Sequence, residues 1–270
     1  MDNNRILYVC QEIMPYLPEN GMSLLSRKLP QAIQERGMEI RTFMPRFGAI
    51  NERRNQLHEV IRLSGMNLII DDNDHQLIIK VASIPSSRVQ IYFIDNDEYF
   101  QRKAIVFDEN GNLLADNDER SIFFARGVLE TVKKLRWSPN LVHCIGWFTA
   151  VVPLYLKRVF ADDPIFSNVK VVVSLYDEGF KGSLDKNMRF KIEREGINDS
   201  ELALLDDPTY ENLMKFVIKY SDGIVYAGEH INPELVKFVE SEGKPVLVCS
   251  EQSDDYAERY HEFYEKLLHP

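Results

Sequence analysis

An α/β alternation of apolar and polar positions opens the chain. An apolar run at residues 6–10 is followed by apolar positions at helical spacing over residues 22–36, and then by an extended run at residues 39–44. Gly37 lies where such a helix would end. A right-handed β-α-β crossover places both strands in one parallel sheet. The loop after the first strand then lies at the carboxyl edge, where open α/β sheets bind ligands.

The pattern changes in the second fifth of the chain. Residues 57–94 hold short runs typical of strands, separated by turns rich in Asp and Asn or in Pro and Ser. We interpret this region as β-hairpins inserted at the edge of the sheet. The predicted strands span residues 57–63, 67–70, 76–81 and 89–94.

Helices and strands alternate again over the rest of the chain, interrupted by a polar stretch at residues 181–207 that is the best candidate for a mobile loop. We expect one domain over residues 1–250 and a helix at residues 253–268 that packs back on it, with Ser253 as N-cap. The fold class is α/β: a Rossmann-like three-layer α/β/α arrangement with a mainly parallel sheet. The other predicted helices span residues 117–135, 148–159, 210–221 and 233–241, and the strands span residues 141–144, 169–175, 223–226 and 245–249.

Composition narrows the function classes. The 270 residues are 44% hydrophobic and 27% charged, which is ordinary for a globular protein. The net charge of −10 argues against nucleic acid and against anionic membrane as partners, because binding to either needs basic patches. The apolar run at residues 6–10 is too short for a signal peptide or a membrane span, so we expect a cytoplasmic protein.

The spacing of cysteine, histidine and acidic residues indicates no metal site, and the generic nucleotide and hydrolase motifs are absent, so we expect neither a metal nor a cofactor. His143 is the one histidine inside a strong strand pattern, and a hydrogen-bonded core histidine is favoured over a ligand. The acidic pairs at residues 162–163 and 206–207 are interpreted as solvated loops or caps. Three widely separated cysteines are predicted to be small buried side chains: Cys10, Cys144 and Cys249.

Four ordered fragments carry a family resemblance. Residues 6–48 read ILYVCQEIMPYLPENGMSLLSRKLPQAIQERGMEIRTFMPRFG, and the later fragments read DNDEYF at 95–100, ADNDERSIFFAR at 115–126 and WSPNLVHCIGWFTAVVPLYLK at 137–157. In this order and spacing they resemble the acceptor-side half of the glycogen and starch synthases. The resemblance implies one half of a GT-B fold and the family reaction, glucosyl transfer from ADP-glucose to an α-1,4-glucan. We expect the chain to lack that family's carboxyl-terminal domain, which makes most of the donor contacts.

The first departure from the family pattern lies in the loop after the first strand. The family's K-T-G-G segment uses a lysine to meet the donor diphosphate and glycines to let backbone N–H groups approach it. Pro18, Glu19, Asn20 and Gly21 stand at these positions. The resemblance therefore implies a donor loop that has lost its cation and gained a carboxylate.

Two further departures fall on polar residues of the family's cleft. The H-D-W-H segment is matched by Ile145, Gly146, Trp147 and Phe148, so that only the tryptophan is kept. The family's histidine near the transferred glucose, and the asparagine after it, are matched within residues 174–182 by Tyr176 and Asp177. No residue of the chain is therefore assigned a catalytic role.

Three hypotheses follow. The chain binds glucan or associates with a true synthase without catalysing by itself; it is an active glucosyltransferase completed by another chain; or it is an interaction scaffold. Candidate partners are α-glucan, a sugar nucleotide, a full-length synthase, or a second copy docked through an exposed cleft face. In the second hypothesis Arg27, Lys28 or Arg46 would replace the lost cation. The aromatic residues that would stack on sugar rings, although core packing is favoured for each, are Tyr16, Trp147, Phe148, Tyr176 and Phe180.

Overall fold

The computed structural model describes residues 4–85, 87, 89–177, 179–194, 196–197, 200–250 and 252–270. The strands are β1 Arg5–Cys10, β2 Glu39–Pro45, β3 His58–Glu59, β4 Met66–Ile70, β5 Asn73–Ser83, β6 Gln90–Asp95, β7 Leu141–Ile145, β8 Lys170–Leu175, β9 Gly223–Tyr226 and β10 Val246–Val248. The helices are α1 Gly21–Glu35, α2 Asp97–Phe100, α3 Asn117–Lys134, α4 Val151–Lys157, α5 Met188–Glu193, α6 Tyr210–Lys219, α7 Pro233–Ser241 and α8 Tyr256–Leu268.

The sheet has the strand order β10-β9-β8-β7-β1-β2-β6-β5-β3 among the described residues, with β4 paired to β5. The strands from β10 to β6 pair in parallel. The core of the sheet is β1 with its neighbours β2 and β7, and all five residues of β7 are buried. Since successive side chains of a strand point to opposite faces, this burial means that both faces of the sheet are covered. The predicted α/β class with a mainly parallel sheet is confirmed.

The hairpin region meets the parallel sheet at β6. This strand was expected among the inserted hairpins, yet it pairs in parallel with β2 on one side and antiparallel with β5 on the other. The antiparallel additions are therefore β3, β4 and β5. Alternating burial along β4 and β5 shows one face against the core and one in solvent.

Several helix boundaries differ from their predictions. Helix α4 begins at Val151 because Trp147–Thr149 form a separate 3₁₀ turn. The last helix begins at Tyr256, so Ser253 is not its N-cap; Asp255 precedes it without a side-chain cap bond. The polar stretch at residues 181–207 was expected to be a loop, but it contains α5 and a 3₁₀ segment; its residues 195, 198 and 199 lie outside the described part of the chain.

The buried face of α8 meets the sheet at His143. This histidine is fully buried, with Nδ1 2.6 Å from the Tyr264 hydroxyl and Nε2 2.8 Å from the Ser174 hydroxyl. Burial lowers the pKa of His143 to about 3, so the ring is neutral and structural, as predicted. The three cysteines are also buried and free, and burial raises the pKa of the Cys10 thiol to about 12. Within the described residues no helix has the length and apolarity needed to cross a membrane.

Candidate functional site

The carboxyl ends of the parallel strands open on two cavities beside the start of α1. The larger cavity has a volume of about 410 Å³ and the smaller about 200 Å³. Met22, in the first turn of α1, lines both. The larger cavity is lined by Gln11, Glu12, Met22, Lys103, Ala104, Ile105, Val106, Phe107, Trp147 and Gly179. The smaller cavity is lined by Gly21, Met22, Tyr176, Asp177, Ala227, Gly228, Glu229, Ser250 and Gln252.

The floor of the larger cavity is a short hydrogen-bonded chain of amides and one carboxylate. Gln11 Oε1 accepts from the backbone N–H of Phe148 at 3.1 Å, and Gln11 Nε2 donates to Glu12 Oε1 at 3.2 Å. Asn20 Nδ2 donates to the other Glu12 oxygen at 2.8 Å. Each carboxylate oxygen of Glu12 keeps a further lone pair, so this side chain can accept hydrogen bonds from ligand hydroxyls.

Gly146 follows β7 next to this floor, and its surroundings leave no room for a side chain. Its φ of 92° and ψ of 148° lie in a region that is essentially restricted to glycine. A Cβ built there would lie 2.6 Å from Gln11 Cβ, 2.8 Å from Gln11 Oε1 and 2.9 Å from Met22 Sδ. A carboxylate at this position, as in the family pattern, would therefore require Gln11 and Met22 to move.

The start of α1 is capped by the chain itself. Asn20 Oδ1 accepts from the Ser23 N–H at 2.7 Å, while Ser23 Oγ accepts from the Asn20 N–H at 2.9 Å. This capping box uses two of the N–H groups that would otherwise face an anion. Pro18 and Glu19 lie exposed just before it. A proline has no N–H to donate and a glutamate repels phosphate, so the loop offers little to a diphosphate.

Carboxylates predominate at the smaller cavity as well. Asp177 and Glu229 both line it, and both are exposed. Asp177 packs so closely on Gly228 that a Cβ there would overlap with its Oδ1. Tyr176 lies beside Asp177 on the wall, whereas Glu178, the next residue of the segment compared with the family, lies outside the described part of the chain. The smaller cavity therefore presents negative charge beside Gly21, the first residue of α1.

The aromatic candidates divide into two groups. Trp147 lines the larger cavity and Tyr176 the smaller, although each is less than a tenth exposed. Tyr16, Phe148 and Phe180 line neither cavity and pack on other rings, with Tyr16 against Phe93 at 4.9 Å between ring centroids. Their burial agrees with core packing, and a stacking role stays a prediction for Trp147 and Tyr176.

Lys103 is the cation of the larger cavity, and sequence reasoning missed it. It is exposed, lines the cavity and has no hydrogen bond or ion pair with the described residues. The three cations named from sequence line neither cavity: Arg46 is buried and ion-paired with Asp95 at 3.0 Å, and Arg27 and Lys28 lie along α1.

The wall that carries Lys103 is held by a buried arginine. Arg120 has no exposed surface; its Nε donates to the Tyr99 carbonyl at 2.9 Å and its Nη1 donates to the Ile105 carbonyl at 2.8 Å. These carbonyls lie on either side of Lys103 in the chain. The signal in the sequence was the arginine of the ADNDER fragment, because a buried guanidinium needs nearby acceptors. Burial lowers its pKa to about 10, which still leaves it charged at neutral pH.

No group of three or more His, Cys, Asp or Glu side chains able to hold a metal ion occurs within the described ranges. In each acidic pair noted in the sequence, at least one carboxylate forms an ion pair with a cation of the chain. Asp163 lies 3.1 Å from Lys133, and Asp206 lies 2.8 Å from Arg189.

Comparison with known proteins shows the family to which this chain belongs. The sequence profile of the starch synthase catalytic domain matches residues 5–244. The chain belongs to the glycogen and starch synthase family. Glycogen synthase of Chlorobium limicola is 39% identical over 183 residues, covering 67% of this chain and 37% of that protein. Glycogen synthase of Chlorobium phaeobacteroides is 34% identical over 236 residues, which cover 84% of this chain and 48% of that protein.

A solved relative supports the fold independently of sequence. The catalytic domain of starch synthase IV from Arabidopsis thaliana, bound to ADP and acarbose, superposes with a TM-score of 0.74 at 15% identity. The match covers 94% of this chain and 52% of that one. The chain thus spans at most about half the length of these relatives, and the family resemblance inferred from the sequence is confirmed.

Proposed function

We propose that this chain binds an α-glucan in the larger cavity without transferring glucose by itself, and that it acts in glycogen metabolism as a glucan-binding or synthase-associated member of its family. The observation that carries the proposal is the contrast between an open cavity and a helix start that offers little to a phosphate. The larger cavity is open, at about 410 Å³, while the neighbouring start of α1 is capped by Asn20 and preceded by Pro18 and Glu19.

The larger cavity suits a sugar in size and chemistry. Its volume falls within the range of about 300–1,000 Å³ that is usual for small-ligand sites. Glu12 and Gln11 offer fixed hydrogen-bonding groups for hydroxyls, and Trp147 contributes an apolar wall. An open cavity also favours ligand binding over a pure interaction scaffold, whose former site would be filled.

A diphosphate donor suits the site poorly. Transfer from a nucleotide sugar requires the leaving phosphates to be neutralised, and one lost electrostatic contact can cost about 3–4 kcal/mol in the transition state. At the matched positions the chain presents Glu19 and Asp177, and the side chain that matches the catalytic histidine is Tyr176. These groups supply neither the cation nor the imidazole of the family.

Isothermal titration with maltooligosaccharides tests glucan binding. We expect saturable heat from the wild-type chain and at least about tenfold weaker binding by Glu12→Gln, which loses charge-assisted hydrogen bonds to ligand hydroxyls. Glu234→Gln is the matched control because Glu234 lies in the first turn of α7 and lines neither cavity. No heat from the wild type, or equal weakening by both variants, would refute glucan binding at this site.

One observation favours a second candidate, an active glucosyltransferase completed by another chain. Lys103 is an unpaired cation among the described residues, and it lines the larger cavity, where it could meet an anionic donor. The test is ADP release from ADP-glucose with glycogen, with and without the host's synthase. Release above that of the synthase alone, abolished by Lys103→Met, would support this candidate, and no release beyond that of the synthase alone would reject it.

A further inference from the structure

A third cavity lies at the opposite, amino edge of the sheet. Its volume is about 170 Å³, and it is lined by the first residues of two neighbouring parallel strands, β2 and β6, and by the end of α1. It is separate from the glucan site proposed above, since the two lie at opposite ends of the strands. Its lining residues are Gln34, Glu39, Ile40, Arg41, Val89, Gln90 and Tyr92.

Arg41 is the cation of this cavity, and its guanidinium is fixed between two rings. The guanidinium carbon lies 5.6 Å from the Tyr92 ring centroid and 5.2 Å from the Trp137 ring centroid. Nη1 donates to the Tyr92 hydroxyl at 2.5 Å. Such contacts restrict the rotamers of a long side chain before any ligand arrives, which lowers the entropy cost of binding.

The guanidinium keeps unused donors. Arg41 Nε is shielded from solvent and has no hydrogen-bond partner, and Nη2 has none among the described residues. A buried N–H without an acceptor is costly and invites a ligand that supplies one. The Nε and Nη2 donors together form the fork that matches two oxygens of a carboxylate or phosphate.

The nearby carboxylate compensates the charge of Arg41 only in part. Glu39 Oε1 accepts from Trp137 Nε1 at 2.5 Å, and its Oε2 accepts from Arg5 Nε at 3.0 Å. Burial raises the pKa of Glu39, but the hydrogen bonds from Trp137 and Arg5 and the charges of Arg5 and Arg41 outweigh it and lower that pKa, so the group is ionised. One carboxylate faces two guanidinium groups, which leaves a net positive charge beside the cavity, and Gln34 and Gln90 add amide groups to its lining.

We propose that Arg41, Gln34 and Gln90 form an oxyanion-binding site at the amino edge of the sheet, which takes a phosphate or carboxylate group first through Arg41 Nη2, while the shielded Nε completes the fork once the ligand displaces the atoms that cover it. The volume of about 170 Å³ admits a single such group with little else attached inside the cavity. A larger ligand would leave the rest of its structure in solvent.

The two tryptophans of the chain allow the two sites to be followed separately. Trp137 contacts Arg41, whereas Trp147 lines the glucan cavity. In a Trp147→Phe background, Trp137 becomes the sole tryptophan, and inorganic phosphate is titrated at constant ionic strength, followed by Trp137 emission. Acetate is titrated in a second arm, and sodium chloride in a third. Glucan binding is measured on the wild type, so that either proposal can fail alone.

We expect a saturable change of Trp137 emission with phosphate or acetate. The anion that saturates this change at the lower concentration identifies the chemical class of the ligand. Arg41→Gln should weaken binding at least about tenfold, and Arg41→Lys nearly as much because an ammonium lacks the fork. Arg62→Gln, which removes an exposed charge outside the cavity, should bind as the parent does. If Arg41→Gln fails to fold, Tyr92→Phe, which removes the hydroxyl that orients Nη1, should weaken binding a few-fold. Responses equal to sodium chloride, or unchanged affinity in the Arg41 variants, would overturn the proposal.

Discussion

Alanine at Gly146 should destabilise the chain more than alanine at a glycine of the same φ in open space. Gly146 and Gly37 both have a φ of 92°, but a Cβ at Gly37 has no atom within 4 Å, whereas one at Gly146 lies 2.6 Å from Gln11 Cβ. Both substitutions incur the cost of the backbone conformation, about 1–3 kcal/mol. Only Gly146→Ala adds a steric overlap, and overpacking of this kind costs about 1–3 kcal/mol.

The two glycines share their φ, so the difference between the variants reports the overlap together with the effect of the ψ of 148° at Gly146. We therefore expect Gly146→Ala to lower the free energy of unfolding by about 1–3 kcal/mol more than Gly37→Ala does. Urea unfolding followed by far-ultraviolet circular dichroism measures both, with the slopes compared to confirm that the same surface is exposed. Displacing Gln11 should also break its bond to the Phe148 N–H and loosen Glu12, so glucan affinity should fall in Gly146→Ala alone.

Equal losses of stability in the two variants would refute the reasoning, because they would show that position 146 tolerates a side chain. The account would then lose its steric argument against a carboxylate at this position. An unchanged glucan affinity in Gly146→Ala, with the extra loss of stability present, would instead show that the floor made by Gln11 and Glu12 does not bind the ligand.

Two further predictions concern buried charge. His143 has a folded pKa of about 3 against 6.5 unfolded, so the unfolded state binds the additional proton and stability is lost as pH falls from 6.5 toward 3, by up to about 1.4 kcal/mol per pH unit. His143→Gln should flatten that slope, and the exposed His269→Gln should not, as urea unfolding across this pH range will show. Lys191→Met leaves the fully buried Asp118 without the cation that lies 2.7 Å away and should cost about 3–5 kcal/mol. Lys186→Met, at a side chain that is 75% exposed, should change stability by less than about 0.5 kcal/mol; comparable losses in the two lysine variants would contradict the buried-charge argument.

Sequence reasoning was accurate where an element is bounded by strong local signals. Strand β9 and helix α7 have the predicted bounds, since Gly223 begins the first and Pro233 the second. Helix α4 was predicted to begin three residues early, at Phe148, because this residue continues the helical pattern, whereas the chain folds Trp147–Thr149 into a 3₁₀ turn after Gly146. Local sequence propensity does not distinguish a turn of α-helix from a turn of 3₁₀ helix.

The candidate site was harder to derive than the fold. The loop departures at Pro18–Asn20 could be read from the family pattern, and the structure adds their physical meaning, a capping box that uses the N–H groups itself. Lys103 could not be found in this way, because its position depends on Arg120, seventeen residues later in the sequence, holding the carbonyls beside it. Distant contacts of this kind are set by tertiary packing and leave no periodic signal.

Calorimetric titration of the purified chain with maltoheptaose and, in a separate run, with ADP-glucose tests the central claim most directly. The account predicts saturable heat with maltoheptaose, because the cavity floored by Glu12 and walled by Trp147 accepts a neutral sugar. It predicts no saturable heat with ADP-glucose, because the exposed carboxylates of Glu19, before α1, and of Asp177, at the smaller cavity, would repel a diphosphate. Tight binding of ADP-glucose, with no response to maltoheptaose, would contradict the claim that the fold has been kept for glucan binding while donor chemistry has been lost.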